Sequence, residues 1–131
     1  MANKPSFPGI PPVSAGLALT SADNGVWREL CLSPSSGNGT LAGRIRALSD
    51  ATADAGLLAA RRIGGVHYPV GHLAVAAGSG ISESVPWIDV LESLNTGQSM
   101  ALAPDEALCV KLETALDAGK TIWLHLEGAP L

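Results

Sequence analysis

The stretch that decides the fold is ALCVKLETALDAGKTIWLHL, residues 107–126. Apolar side chains occupy every second position at both of its ends: Leu108, Val110, Leu112, Ile122, Leu124 and Leu126. A period of two places such side chains on one face of a β-strand. Both ends are therefore predicted to be half-buried strands, and residues 113–120 are predicted to be a hairpin connection between them.

Short apolar runs of the same kind repeat along the rest of the chain, separated by turn residues. The clearest is 41–49, where Leu41, Ile45 and Ala47 are predicted to share one face. The pair Gly64-Gly65 between two further runs is a hairpin signature. Strands spaced by roughly 8–12 residues are typical of a sandwich or barrel. We therefore predict an all-β fold, an antiparallel β-sandwich of jelly-roll type.

Two segments could be helical instead. Residues 84–95 carry Pro86, and Trp87, Val90, Leu91 and Leu94 would share one face of a helix, so one helical turn is favoured there over a bent strand. Residues 50–62 are rich in alanine, a good helix former. Gly56 and the hairpin signature that follows favour a strand in that second segment.

The first fifteen residues, MANKPSFPGIPPVSA, differ from the rest of the chain in composition. Their four prolines exclude a helix and discourage a central strand. Residues 1–15 are therefore predicted to be an extended, Pro-rich N-terminal arm, and 16–131 the sandwich domain. Phe7, Ile10 and Val13 are apolar, so this segment is either a solvated terminus or an arm that lies on a neighbouring subunit.

Charge and cysteine content limit the classes of partner. The formal net charge is −4, without the clustered lysine and arginine of a nucleic-acid binder. No run approaches the roughly 20 apolar residues that a membrane helix needs, and the N-terminus lacks the apolar core of a secretory signal. We expect no nucleic-acid partner, no membrane partner and synthesis in the cytoplasm. Cys31 and Cys109 lie in apolar runs and are predicted to be buried free thiols.

No arrangement of residues indicates catalysis or a cofactor. His67 and His72 are close in sequence, but no metal-binding spacing surrounds them. No serine lies in a nucleophile motif, and nothing near Cys109 would activate it. The adjacent Asp105 and Glu106 are interpreted as solvated turn residues. The chain is therefore predicted not to be an enzyme and to hold neither metal nor cofactor.

Trp123 is the residue that most directly suggests a function. It alternates with Ile122 and Leu124, so it is predicted to point away from the core, on the same face as His125. Either a loop or the arm covers that face, or Trp123 contacts a partner, since tryptophan is enriched among the residues that dominate interface energetics. The predicted interface residues are Phe7, Ile10, Val13, Trp123 and His125.

Four blocks between residues 41 and 127 carry a resemblance to a known family. They are Tyr68-Pro69-Val70-Gly71, Ala76-Ala77-Gly78-Ser79-Gly80, the segment APDEALCV at 103–110, and Gly119-Lys120-Thr121. Together they resemble the small β-sandwich virion proteins of tailed bacteriophages, the head decoration or cement proteins. The resemblance implies a non-enzymatic protein on the capsid exterior, bound to the major capsid protein. It also implies a homo-oligomer, a dimer or trimer, that bridges capsid subunits.

Two other functions remain open from the sequence. A phage tail, fibre or baseplate component could use the same sandwich. A carbohydrate-binding module is the alternative from another class, because such sandwiches often present tryptophan to sugars. The Pro-rich apolar arm favours the virion proteins, because a sugar-binding module has no need of it.

Overall fold

Two antiparallel sheets packed face to face make up the computed structural model, which describes residues 12–131. The prediction of an all-β sandwich is confirmed. The strands, in chain order, are β1 (Val13–Leu19), β2 (Trp27–Leu32), β3 (Thr40–Ser49), β4 (Ala55–Ile63), β5 (Val66–Val75), β6 (Ile88–Asp89), β7 (Met100–Leu102), β8 (Ala107–Leu112) and β9 (Ile122–Pro130). A 3-10 turn spans Ser21–Asp23, and a single turn of α-helix, α1, spans Val90–Ser93.

Successive strands lie in different sheets except for two pairs, β4–β5 in sheet B and β6–β7 in sheet A. Sheet A has the order β1-β9-β3-β6, and β7 also pairs with β3. Sheet B has the order β2-β8-β4-β5. Strands β8 and β9 therefore belong to different sheets, and the predicted hairpin between them is wrong. The connection at 113–121 is long enough to cross the roughly 10 Å between packed sheets, which a tight hairpin turn is not.

The core lies between the sheets and is built by the predicted alternation. The six apolar residues of β8 and β9 that were expected to point inward are all at most 2% exposed. They pack in one cluster with side chains from the other strands, among them Leu19, Ile45, Leu57, Val75 and Leu102. Sheet formation thus follows from the period of two, because both inner faces are apolar and bury each other.

The β4–β5 hairpin confirms the predicted Gly-Gly turn. Gly64 and Gly65 both have positive φ, at 60° and 81°, a conformation that residues with a Cβ rarely adopt. The turn brings Ile63 opposite Val66. The alanine-rich segment before it is β4 rather than a helix, because its residues pair with β5 on one side and β8 on the other.

Two local predictions need correction. A β-bulge between Ala42 and Arg44 shifts the register of β3. Leu41 is therefore on the opposite face from Ile45 and only partly buried, although the spacing alone placed them together. The predicted helical turn is present as α1, but Trp87 precedes it and is exposed, so it does not share the buried face of Val90, Leu91 and Leu94.

The sandwich begins earlier than the expected boundary at residue 16. Val13 is the first residue of β1 and pairs with Gly128 of β9, and its side chain packs against the core. Residues 13–15 therefore belong to the sheet and not to the arm. Phe7 and Ile10 lie outside the described residues. Among residues 12–131 no helix is long and apolar enough to cross a membrane.

A candidate interface on the outer face of sheet A

The outer face of sheet A presents Trp123 to solvent. Trp123 of β9 lies opposite Ala18 of β1 and Leu48 of β3. The residues before and after it, Ile122 and Leu124, are buried, whereas Trp123 is 38% exposed. The predicted outward direction of Trp123 is therefore what the structure shows. The flanking β1 side chain is small, so the indole stands above a flat part of the sheet.

A second tryptophan extends this apolar area on the other side of Leu48. Gly80 touches both Leu48 and Trp87: a Cβ at Gly80 would lie 2.8 Å from the Leu48 side chain and 3.1 Å from the Trp87 Cβ. Trp87 is 38% exposed, and Ile81, next to Gly80 in the chain, is 54% exposed. We call Leu48, Trp87 and Trp123 the tryptophan surface.

Charged and polar side chains border the tryptophan surface. The Arg46 guanidinium lies 5.1 Å from the centre of the Trp87 ring, a cation–π arrangement, and its Nε is buried without a hydrogen-bond partner among residues 12–131. His125 lies between Arg46 and β1 in the sheet, where its Nε2 is 3.1 Å from Ser14 Oγ. The Glu127 carboxylate is 3.6 Å from Arg46 and 3.7 Å from His125. An apolar centre with a polar rim is the usual composition of a protein interface.

Further along the same face, the tryptophan surface is followed by a polar pocket. The pocket has a volume of about 660 Å³ and lies between the outer face of β3 and the segment that contains α1. Its side chains include Arg44, Asp89, Glu92, Asn95 and Gln98. Asp89 pairs with Arg46 in the sheet, so the pocket adjoins the charged border of the tryptophan surface. The pocket offers hydrogen-bond donors and acceptors but no aromatic wall.

The outer face of sheet B is covered by its own side chains. Cys109 points outward there, between the inward Leu108 and Val110, yet it is only 1% exposed. Arg62 on β4 and Glu29 on β2 form an ion pair that spans the intervening strand β8. The rings of Trp27 and His67 stack on this same face. Sheet A therefore offers the more accessible aromatic surface.

The predicted buried free thiols are confirmed. Cys31 and Cys109 are both free and buried, and burial raises the pKa of each thiol. A raised pKa leaves little of the reactive thiolate at neutral pH. In residues 12–131 no three His, Cys, Asp or Glu side chains are grouped so that they could hold a metal ion. The chemistry that the outer face of sheet A offers is apolar contact, cation–π stacking and hydrogen bonding.

Glu106 differs from its prediction as a solvated turn residue. It is 6% exposed, and its Oε1 accepts hydrogen bonds from Arg61 Nη1 at 2.7 Å and from the Ala103 backbone N–H at 3.2 Å. Arg61 also donates to the Ala101 carbonyl at 2.6 Å. This ion pair joins sheet B to the β7 end of sheet A, so it is structural. Asp105 remains an exposed turn residue.

The structure brings together some of the predicted interface residues and adds others. Trp123 and His125 share the outer face of sheet A, as predicted. Val13 lies at the far end of the neighbouring strand. Leu48 and Trp87 were not among the predicted interface residues, because their contact with Gly80 depends on a loop between residues 76 and 87 that no hydrophobic period describes. The one available signal was Trp87 itself, a large aromatic residue beside a proline.

The fold and the site define an all-β sandwich with an exposed aromatic surface, bordered by charged side chains of both signs, on one sheet. No protein-family model, curated protein or solved structure matches the chain.

Proposed function

We propose that this chain is a non-enzymatic structural protein of a bacteriophage virion. In this proposal it is made in the host cytoplasm and then decorates or cements the capsid exterior, where it bridges subunits of the major capsid protein. The observation that carries the proposal is the tryptophan surface. Trp87 and Trp123 are each 38% exposed on the outer face of one sheet, and a contiguous exposed apolar area indicates a binding partner.

A protein partner fits this surface better than a nucleic acid does. The chain has a net charge of −4, which opposes a phosphate backbone. The rim combines Arg46, His125 and Glu127, both signs of charge, as expected for pairing with a mixed protein surface. The resemblance to decoration proteins over residues 41–127 supports the capsid as the partner. The two strand orders, β1-β9-β3-β6 and β2-β8-β4-β5, in which most connections cross from one sheet to the other, support the jelly-roll arrangement suggested by the sequence.

Mass spectrometry of purified virions tests the proposal directly. We expect the chain in intact particles, in a copy number that matches positions on the capsid lattice. Immunogold labelling with an antibody to the chain should mark the head. Absence of the chain from virions would overturn the proposal, and labelling confined to the tail would replace it with a tail, fibre or baseplate role.

The polar pocket favours one second function, carbohydrate binding. A pocket of about 660 Å³ with amide, carboxylate and guanidinium groups suits a sugar with several hydroxyls, and Trp87 and Trp123 lie on the same face. A glycan array probed with the purified chain tests this function. Saturable binding that Arg44→Ala abolishes and Val26→Ala leaves intact would favour it, because Val26 is exposed and does not line the pocket.

A further inference from the structure

The tip of the β4–β5 hairpin has an uncovered apolar face. Ile63, Val66 and Tyr68 are 48%, 53% and 53% exposed. Ile63 lies opposite Val66, and Arg61 lies opposite Tyr68. Residues two apart in a strand point to the same face, so all four side chains share one face of the hairpin. We call Ile63, Val66 and Tyr68 the hairpin face.

The hairpin face is turned toward sheet A but extends beyond it. Arg61 of β4 pairs with Leu108 of β8, and the Leu108 side chain is buried in the core. The hairpin face therefore belongs to the inner face of sheet B. Arg61 closes the core by binding Glu106 and the Ala101 carbonyl of β7. Beyond Arg61 the three apolar side chains of the hairpin face are left exposed by the described residues, 12–131, although their direction is that of core residues.

Strand β1, which follows the first eleven residues in the sequence, begins at this same end of the sandwich. One row of paired residues crosses sheet A from Val13 on β1 through Gly128 and Ala42 to Met100 on β7. Met100 is next to Ala101, whose carbonyl binds Arg61, so the start of β1 is level with the base of the hairpin face. The segment 1–11 reads MANKPSFPGIP and holds two large apolar side chains between prolines, Phe7 and Ile10. Pro-rich segments bind aromatic-lined surfaces at low entropic cost, because proline already restricts the free chain. Tyr68 supplies an aromatic ring on the hairpin face.

The distance that residues 1–11 would have to span favours a neighbouring copy as the source of this segment. β1 and β5 are edge strands of different sheets, with β1 beside β2 and β5 at the other edge of sheet B. Strand and sheet spacings put the two edges about 17 Å apart. Ile10 precedes Val13 by three residues, a span of about 10 Å at full extension. A chain's own segment would have to be fully extended to bring both Phe7 and Ile10 to its hairpin face, whereas the segment of a second copy can bring both without that restriction.

We propose that residues 1–11 of one copy bind the hairpin face of a neighbouring copy, with Phe7 and Ile10 packed against Ile63, Val66 and Tyr68. This contact deepens the homo-oligomer part of the proposed function. It is tested on the purified protein alone, so its failure is separate from any failure to bind capsids.

Sedimentation velocity over a concentration series measures the association. The full chain should form dimers or trimers. Deletion of residues 2–11, and separately Tyr68→Ser, should each weaken association by roughly tenfold or more. Val26→Ser is the matched control, because Val26 is 48% exposed and is not on the hairpin face, and it should leave association unchanged. A chain that is monomeric at every concentration, or an oligomer that either of the first two variants leaves intact, overturns the proposal.

Disulfide trapping then shows whether the contact forms between two chains or within one. Its result cannot be produced by a variant that merely fails to fold. One preparation carries Phe7→Cys and another Tyr68→Cys, and they are mixed with oxidised glutathione as the oxidant. The native thiols are buried. Mass spectrometry should find the two introduced thiols joined between chains, well above a mixture of Phe7→Cys with Val26→Cys. Equal yields in the two mixtures, or a chain with both substitutions that closes only on itself, would rule the contact out.

Discussion

Trp27 and His67 stack face to face on the outer side of sheet B, with ring centroids 4.5 Å apart and planes within 5° of parallel. The two residues come from β2 and β5, the opposite edge strands of that sheet. The stack therefore crosses the two central strands, where the outward side chains Ala60 and Cys109 are small and at most 1% exposed. Lys111, which lies opposite Trp27, adds its ammonium 4.9 Å from the indole centre.

Replacing Trp27 with alanine should remove half of the ring stack that lies over Ala60 and Cys109. We expect Trp27→Ala to lower the free energy of unfolding by about 2 kcal/mol or more, because a large partly buried ring is lost from a packed site. The Cys109 thiol beneath should then react faster with a thiol reagent in the folded protein. Urea unfolding and peptide mapping after labelling measure the two effects. Trp123→Ala is the matched control, and unchanged labelling of Cys109 would show that other groups protect the thiol.

The carboxylate of Asp23 should make stability depend on pH. The Thr20 backbone N–H donates to Asp23 Oδ2 at 2.9 Å, and Arg28 Nη1 donates to Oδ1. These bonds, the Thr20 bond first, hold the pKa of Asp23 below its usual value against the opposing effect of burial. A lowered folded pKa means that the stabilisation is complete above the unfolded pKa of about 3.9 and disappears as the pH falls through the folded value.

Asp23→Asn should therefore cost about 1 kcal/mol of unfolding free energy at neutral pH. The difference from the unsubstituted protein should shrink in acid, below about pH 4. Urea unfolding at a series of pH values measures it. Asp117→Asn, at an exposed position, is the control and should show no such gap. If the difference in unfolding free energy stays constant into strong acid, the charge of the Asp23 carboxylate is not its source.

Gly128 allows the close approach of β9 to β3. A Cβ on Gly128 would lie 2.0 Å from the Leu41 carbonyl oxygen, a distance that only backbone movement can relieve. Gly128→Ala should therefore destabilise the protein by about 2 kcal/mol, as seen in thermal or urea unfolding. Gly16 on the adjacent strand is the matched control, because its Cβ would meet only the Leu124 carbonyl at 3.9 Å. Equal losses for Gly16→Ala and Gly128→Ala would refute the steric explanation.

The sequence predicts features that depend on local period and not those that depend on pairing between distant strands. The direction of Trp123 follows from its neighbours in one strand, since a period of two has only two outcomes. The face of Leu41 does not, because the bulge in β3 leaves no mark in the apolar pattern. The Trp27–His67 stack requires knowing that β2 and β5 are the edges of one sheet, and the residues are far apart in sequence. The hairpin connection predicted after β8 failed for the same reason.

The role of Trp123 can be separated from the stability of the fold. Its indole stands on the outer face of sheet A beside Ala18 and Leu48, and it contributes little to the core between the sheets. Trp123→Ala should therefore change the unfolding free energy by about 0.5 kcal/mol or less, as is usual for surface substitutions. If Trp123 dominates the contact with capsid subunits, the same substitution should weaken binding to particles that lack the protein by about 2 kcal/mol or more. Thermal unfolding of the isolated protein and a binding curve on such particles make the paired measurement. A large fall in melting temperature with unchanged binding would place Trp123 in the fold's own packing and remove it from the interface.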